Sequence, residues 1–415
     1  MQDNIIKKLK KCRVCKNTHL TKVFTLGPTP LANAFLTEKQ IDEPESFYPL
    51  DVYFCQNCSF VQLGHVVSPE ILFKDYVYVS STSPVFVNHF KNFAKEIVTQ
   101  FSLNNKALVI DIGSNDGILL KPFLALGTRV LGIEPASHIA KEAEKQGIET
   151  IDEFFSVALA KNIVKKKGKA KVVTANNVFA HIHDLDEVIK GLDVLLDDEG
   201  VFITESPYLI DFLKKRYFDL VYHEHLSYWS LSSLMTLFKR FDMEVFDIQK
   251  VDVHGGTIRT FIKRKKAHFA VSKNVDKFLQ KEKKSKLKNI ETYQNFSKKI
   301  LENRRKLIGL LTKLKLYGKR IVGYGAPAKG NTLLNYFKIG PEILDYIVED
   351  SHLKVGLYTP GTHIPIVSSK QLQKDNPDYV FILAWNFAPS IQKKLAWFKK
   401  RGKKFIIPVP QPKIV

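Results

Sequence analysis

The sequence predicts an α/β fold in three consecutive parts, and three observations carry that expectation. Apolar runs twice end in a glycine-rich turn that feeds a helical stretch, at Leu108-Val109-Ile110 and again at Ile321-Val322. Other apolar strands alternate with helical segments, the pattern of a mostly parallel sheet covered by helices. Ahead of both units stand two Cys-x-x-Cys pairs that use every cysteine of the 415-residue chain. That length exceeds one ordinary core. The expected division is a zinc-binding module over 1–80, a central domain over 81–265, and a helical linker with a second α/β domain over 266–415.

Composition narrows the class. Apolar residues make up 45% and charged residues 25%, values of a globular protein. No apolar run approaches the roughly 20 residues of a membrane helix. Met1 to Lys11 is polar and lysine-rich without the apolar stretch of a signal peptide, so a cytoplasmic protein without membrane contact is expected. The formal charge of +21 is concentrated: residues 263–320 carry 20 basic and 4 acidic side chains, leaving about +5 for everything else. Such a segment reads as the solvated face of helices, so no nucleic acid is expected. A monomer is favoured.

In the first part, Cys12/Cys15 and Cys55/Cys58 are separated by 39 residues. Each pair supplies two thiolates, and four thiolates complete a tetrahedral Zn2+ site with no open position, hence a structural ion. Gly27 to Phe35 reads as a loop entering a short helix, and Tyr48 to Phe54 as a strand. Aromatics at Phe73, Tyr76 and Tyr78 mark the join to the next part, a common place for ligands.

The central part begins with a helix from about Val85 to Gln100. The strand Leu108 to Ile112 then runs into the turn Gly113-Ser114-Asn115-Asp116-Gly117. Gly113 and Gly117 allow backbone geometries that a Cβ would block. Asn115 stands where the dinucleotide fingerprint has its second glycine, and Asp111 and Asp116 would repel a pyrophosphate. An acidic turn suits a cationic ligand with hydroxyls, such as S-adenosylmethionine; a nicotinamide cofactor is the competing reading. Glu134, 23 residues after Asp111, ends the second strand where a carboxylate accepts from ribose hydroxyls, and Pro135 fixes the turn after it. Phe154 and Phe155 offer an aromatic face for adenine. Asn176, Asn177 and His181 follow the next strand at its ligand-facing end. A hairpin, Glu244 to Val251 and Thr257 to Lys263 around His254-Gly255-Gly256, closes the sheet antiparallel. That is the class I methyltransferase layout.

Tyr222-His223-Glu224-His225 gathers a hydroxyl donor, a carboxylate and two imidazoles in four positions, and lacks the spacing of a zinc-protease HExxH. General-base chemistry by a histidine titrating near neutral pH is expected.

Asn274 to Tyr317 is mostly helical, with a stripe of Tyr293, Phe296, Ile300, Leu307, Leu310, Leu314 and Tyr317 interrupted by Asn303. The second glycine unit, Gly323-Tyr324-Gly325 through Lys329 to Asn331, lacks the ending of a P-loop, but Lys329 and backbone N–H groups at a helix start suit a phosphate. Strands at Tyr346 to Asp350, Tyr379 to Leu383 and Phe405 to Ile407 complete a smaller Rossmann-like domain. Its expected task is to clamp a substrate, with help from the loop Lys354 to His363.

Together the paired cysteines, Pro30-Leu31-Ala32-Asn33, the Asp111 to Gly117 turn, Tyr222 to His225 and Gly323 to Gly330 resemble the sugar C-methyltransferases of nucleotide-linked 4-keto-deoxyhexoses, over nearly the whole length. The resemblance implies zinc, S-adenosylmethionine and a nucleotide-diphosphate sugar as substrate. It maps Tyr76, Tyr222, Glu224 and His225 onto the family's catalytic cluster, with His225 as base and His181 as a further member. Proton removal beside the ketone, with Glu224 orienting His225 and Tyr222 or Tyr76 donating to the enolate oxygen, would precede methylation, with C3 the expected carbon. Methylation of a sugar hydroxyl and a zinc-containing nucleic-acid-binding protein are the alternatives.

Overall fold

A computed structural model describes residues 5–73, 81, 84–253 and 255–415. Tyr76, Tyr78 and His254 lie outside the described residues.

The first part contains β1 (Ile6–Lys8), β2 (Leu20–Thr29), β3 (Tyr48–Cys55), β4 (Val61–Leu63) and β5 (His65–Val67). The central part contains β6 (Leu108–Ile112), β7 (Arg129–Ile133), β8 (Thr150–Ile151), β9 (Ala170–Thr174), β10 (Leu196–Pro207), β11 (Ser227–Tyr228), β12 (Met243–Val251) and β13 (Thr257–Arg264). The last part contains β14 (Ile321–Tyr324), β15 (Ile347–Glu349), β16 (Ile366–Ser368), β17 (Tyr379–Ile382), β18 (Lys404–Ile407) and β19 (Lys413–Ile414).

The central sheet runs β12-β13-β10-β9-β6-β7-β8, parallel from β10 to β8 and antiparallel where β13 joins β10 and β12. Side chains alternate across it, as the strand period requires. Leu108, Ile110 and Ile112 join one buried cluster with Ile189 and Phe238, while Val109 joins another with Phe93 and Phe123. Burial on both faces explains why these strands are apolar throughout. The C-terminal sheet repeats the order, β16-β15-β14-β17-β18-β19, parallel until the antiparallel β19.

Three expectations need correction. The segment from Gly27 enters no helix: β2 extends through Thr29, and Leu31 to Ala34 is a turn closed by the Ala34 N–H on the Leu31 carbonyl at 3.0 Å. Asn303 belongs to the buried stripe of helix Ile290–Leu316, and its amide donates to the Pro408 carbonyl at 3.2 Å. Leu311 replaces Leu310 among the fully buried positions, and Tyr317 is exposed. That helix ties the parts together, because Phe296 packs on Phe24 and Phe212, and Tyr293 on Phe54. A further cross-connection is β11, which lies within 81–265 in sequence yet pairs with β4 of the cysteine module. Among the described residues no helix is long and apolar enough to cross a membrane.

Candidate active site

The chain reverses direction across the central sheet between β6 and β9, and the carboxyl ends of strands at such a switch point are where open α/β sheets bind ligands. The Asp111 to Gly117 turn lies at that end of β6. Gly113 has φ +69°, and a Cβ there would meet Val178 at 2.5 Å. Asn115 is also left-handed, with φ +50°. Asp111 accepts from the Thr174 hydroxyl at 2.5 Å, and burial pushes its carboxyl up to about 7. Glu134 accepts from the Asn115 and Ala136 N–H groups, both at 2.9 Å, which leaves each oxygen a second lone pair. Asp116 is 1% exposed, yet neither carboxylate oxygen has a hydrogen-bond partner among the described residues; the same holds for Ser114 Oγ and Asn176 Nδ2. Buried polar groups without partners point to a ligand. Anionic and hydroxyl acceptors beside a glycine that admits close approach fit S-adenosylmethionine, which carries an ammonium, a sulfonium and ribose hydroxyls. Asn176 Oδ1 accepts from the Glu205 N–H at 3.0 Å, and Asn177 N–H donates to the Glu205 carbonyl at 2.8 Å. Of the aromatic pair, Phe154 is 43% exposed, whereas Phe155 is half-buried with its ring edge over Gly191.

The histidines of the Tyr222 to His225 motif have separate fates. His225 Nδ1 lies 2.8 Å from the Leu220 carbonyl, which can only accept, so this nitrogen carries the hydrogen. Nε2 then presents its lone pair to the Tyr222 hydroxyl at 2.8 Å. His181 is beside it, with ring centroids 5.0 Å apart, and stacks on Phe73 at 5.7 Å. His223 points the other way: it bonds the Tyr48 carbonyl at 3.0 Å and packs edge-on against the Tyr48 ring. Burial lowers both His223 and His225 to about 4, so the expected titration near neutral pH is replaced by a neutral imidazole. Glu224 does not orient His225; Leu220 does. Glu224 instead accepts from Asn33 Nδ2 at 2.6 Å and faces the Lys354 ammonium, whose pKa falls by burial.

The cysteine module supports this site. The four sulfurs lie within 4.8 Å of one another, with Cys12–Cys58 and Cys15–Cys55 both at 3.6 Å. Those edges fit a tetrahedron with Zn–S of about 2.3 Å. Arg13, between the first two cysteines, is buried and reaches out of the knuckle: it donates to Ser227 Oγ at 2.5 Å, to the Ile182 carbonyl, and to the His183 carbonyl at 3.1 Å. The zinc site thereby braces the segment that carries His181. Arg13 was not foreseen; a lone arginine inside a knuckle gives no sequence signal of what it will meet.

The second glycine unit differs from expectation. Gly323 lies inside β14, where a Cβ would strike Ile347, so it is a packing glycine. The Ala326 N–H is taken by Glu349 at 2.7 Å and the Gly325 N–H by the Val348 carbonyl at 2.7 Å. Tyr324 bonds Asp350 at 3.0 Å. Asn331 is buried and donates to the Ala32 carbonyl at 2.7 Å, docking the C-terminal domain on the first module. Lys329 bonds Asn386 Oδ1, and its ammonium lies 4.6 Å from the Trp385 ring centre. Of the turn's N–H groups, that of Ala326 thus meets a carboxylate and that of Gly325 a carbonyl, so neither of these two is open to a phosphate.

A donor turn and a half-buried tyrosine–histidine pair, braced by a four-cysteine knuckle, define a zinc-containing S-adenosylmethionine-dependent methyltransferase. Family models match the three parts: a zinc binding domain over residues 12–73, a methyltransferase domain over 86–248, and a C-methyltransferase C-terminal domain over 252–410. The C-methyltransferase NovU of Streptomyces niveus is 36% identical over all of this chain and 99% of its own. The chain belongs to this C-methyltransferase family. A ubiquinone biosynthesis O-methyltransferase of Pelagibacter ubique is 29% identical over 35% of this chain and 62% of its own. Magnesium protoporphyrin IX methyltransferase from Synechocystis PCC 6803, solved with bound SAH, aligns with 15% identity over 43% of this chain and 82% of its own, at a TM-score of 0.34.

Proposed function

We propose that this enzyme methylates C3 of a nucleotide-linked 4-keto-deoxysugar through an enolate generated by His225. The observation that carries the reading is the fixed tautomer of His225, N–H on Leu220 and lone pair on the Tyr222 hydroxyl. A neutral imidazole is in the state to accept a proton, and carbon beside a ketone releases one because the carbanion delocalises into an enolate. The enolate beside the new imidazolium raises the base's pKa from its low resting position. The Tyr222 hydroxyl, displaced from Nε2 by substrate, then donates to the enolate oxygen, where charge has accumulated. Bound S-adenosylmethionine supplies an electrophilic methyl that the enolate carbon takes up. Glu224, held by Asn33, completes the sugar-facing groups in this proposal, with His181 packed behind the base; Tyr76 is assigned to the catalytic cluster by the family resemblance. The division at 1–80, 81–265 and 266–415, a monomeric state and a cytoplasmic location belong to the same proposal.

Incubation with methyl-labelled donor and NMR of the product tests it. A methyl bonded to carbon next to the carbonyl is expected; a methyl bonded to oxygen overturns the claim. His225→Asn should lower kcat by about 10²-fold or more, with donor Kd within about twofold, since Nε2 touches no group of the donor turn. Near-normal turnover would transfer the role of base to His181.

A further inference from the structure

We propose that the C-terminal domain sets the tautomer of His225 by holding the turn Phe218–Leu220 through Trp385, which makes Trp385 and Asp219 positioning residues. The inference rests on His225 being the base.

The geometry runs in one continuous path. His225 Nδ1–H is anchored on the Leu220 carbonyl, the last residue of the 3-10 turn Phe218–Leu220. Asp219, in the middle of that turn, is fully buried and accepts from the Trp385 indole N–H. Trp385 follows β17 at its carboxyl end, in the C-terminal domain. Its ring packs on Tyr217, the residue capping the turn, with centroids 4.5 Å apart. The Lys329 ammonium also stands over the ring, within electrostatic reach of Asp219. Phe218 is stacked on Phe337 at 5.1 Å and packs on Tyr336 at 5.7 Å, both from helix Ala328–Phe337 of the same domain. Every residue of the turn except Leu220 is therefore held by the C-terminal domain, and Leu220 contributes its carbonyl to the histidine.

A carbonyl fixed at 2.8 Å from Nδ1 accepts a hydrogen and cannot donate one, so it excludes the tautomer in which Nδ1 is bare. Loosening the turn removes that exclusion. The imidazole can then put its hydrogen on Nε2, the atom that must be bare to act as base. This assigns a use to Lys329 and to the glycine unit that precedes it: they seat Trp385 and the helix, and through them order the distant base.

The test is the 15N spectrum of histidine-labelled full-length protein, with His225→Asn used to assign its signals. Trp385→Phe keeps most of the ring packing and removes the indole N–H. Asp219→Leu, close in volume, removes the same bond from the other side and serves if the first variant does not fold. The expected result is a His225 Nδ1 signal moving from the protonated toward the unprotonated range in either variant. With it, kcat should drop about tenfold or more while donor Kd stays within about twofold. An unchanged tautomer in both variants overturns the proposal, whatever happens to turnover. A shifted tautomer with normal turnover leaves the positioning claim standing and removes His225 from the role of base.

Discussion

The two strand–glycine–helix units of this protein share a frame and differ in what fills it. Each has the strand order three-two-one-four-five, and in each a glutamate ending the second strand accepts a backbone N–H from the turn after the first: Glu134 from Asn115, and Glu349 from Ala326. In the central unit the turn keeps Asp116 and Ser114 buried with side-chain atoms that meet no partner among the described residues. In the C-terminal unit Glu349 also accepts from Asp350 and Ser351, Lys354 donates to the Ala326 carbonyl at 2.8 Å, and Lys329 is spent on Asn386 and Trp385. One turn keeps buried polar atoms without partners among the described residues, while the named groups of the other are bonded within the chain.

The comparison breaks most visibly at the glycines. Gly113→Ala places a Cβ 2.5 Å from Val178 at φ +69°, and Gly325→Ala places one 2.8 Å from the Ala384 Cβ at φ +82°. Both substitutions strain the backbone by about 1–2 kcal/mol. Titration calorimetry should show donor binding weakened about 100-fold in the first and changed less than about twofold in the second, whose effect is a lower melting temperature. Equal loss of donor affinity in both would erase the distinction.

A smaller contrast lies in the acids. Asp116→Asn alters a buried carboxyl group with no hydrogen-bond partner among the described residues, and donor Kd should rise about tenfold. Glu349→Gln weakens three N–H contacts in the closed turn and should lower the melting temperature with donor Kd unchanged. Scanning calorimetry beside donor titration separates the two.

The smallest effect is a pH dependence. Burial first, with Glu134 adding to it, raises the Asp111 carboxyl to about 7 against the pull of Thr174. A cationic donor favours the ionised form, which is absent below that pH and present above it. Donor affinity should therefore rise a few-fold between about pH 6 and 8. Thr174→Val withdraws a bond that favours the carboxylate and should move the step upward. A flat profile in both proteins would show that Asp111 does not face the donor's charge.

Much of the frame was legible because it rests on short-range patterns. Apolar strands buried on both faces read as continuous runs, and Val109 beside Ile110 shows why: their side chains enter opposite clusters. Cysteine spacing disclosed the zinc knuckle. The Asp111 to Gly117 turn could be singled out, since its glycines and acids are neighbours in sequence. The polar assignments that depend on burial were not legible. Nothing in Tyr222 to His225 says that His223 turns toward Tyr48 while His225 turns toward Tyr222, or that both are held neutral at neutral pH. Trp385, at the end of a parallel strand, occupied a position that could have drawn attention.

The sequence by itself thus determined the fold class and the cluster of four cysteines, because each depends on residue type at fixed short spacing. Tertiary structure alone decided which glycine turn keeps buried atoms without partners among the described residues, which histidine faces Tyr222, and what Arg13, Lys329 and Asn331 bond to. Those outcomes depend on partners tens to hundreds of residues away, Ser227 for Arg13 and Ala32 for Asn331. A polar side chain's chemistry is fixed by whatever shares its burial, and only the folded chain supplies that.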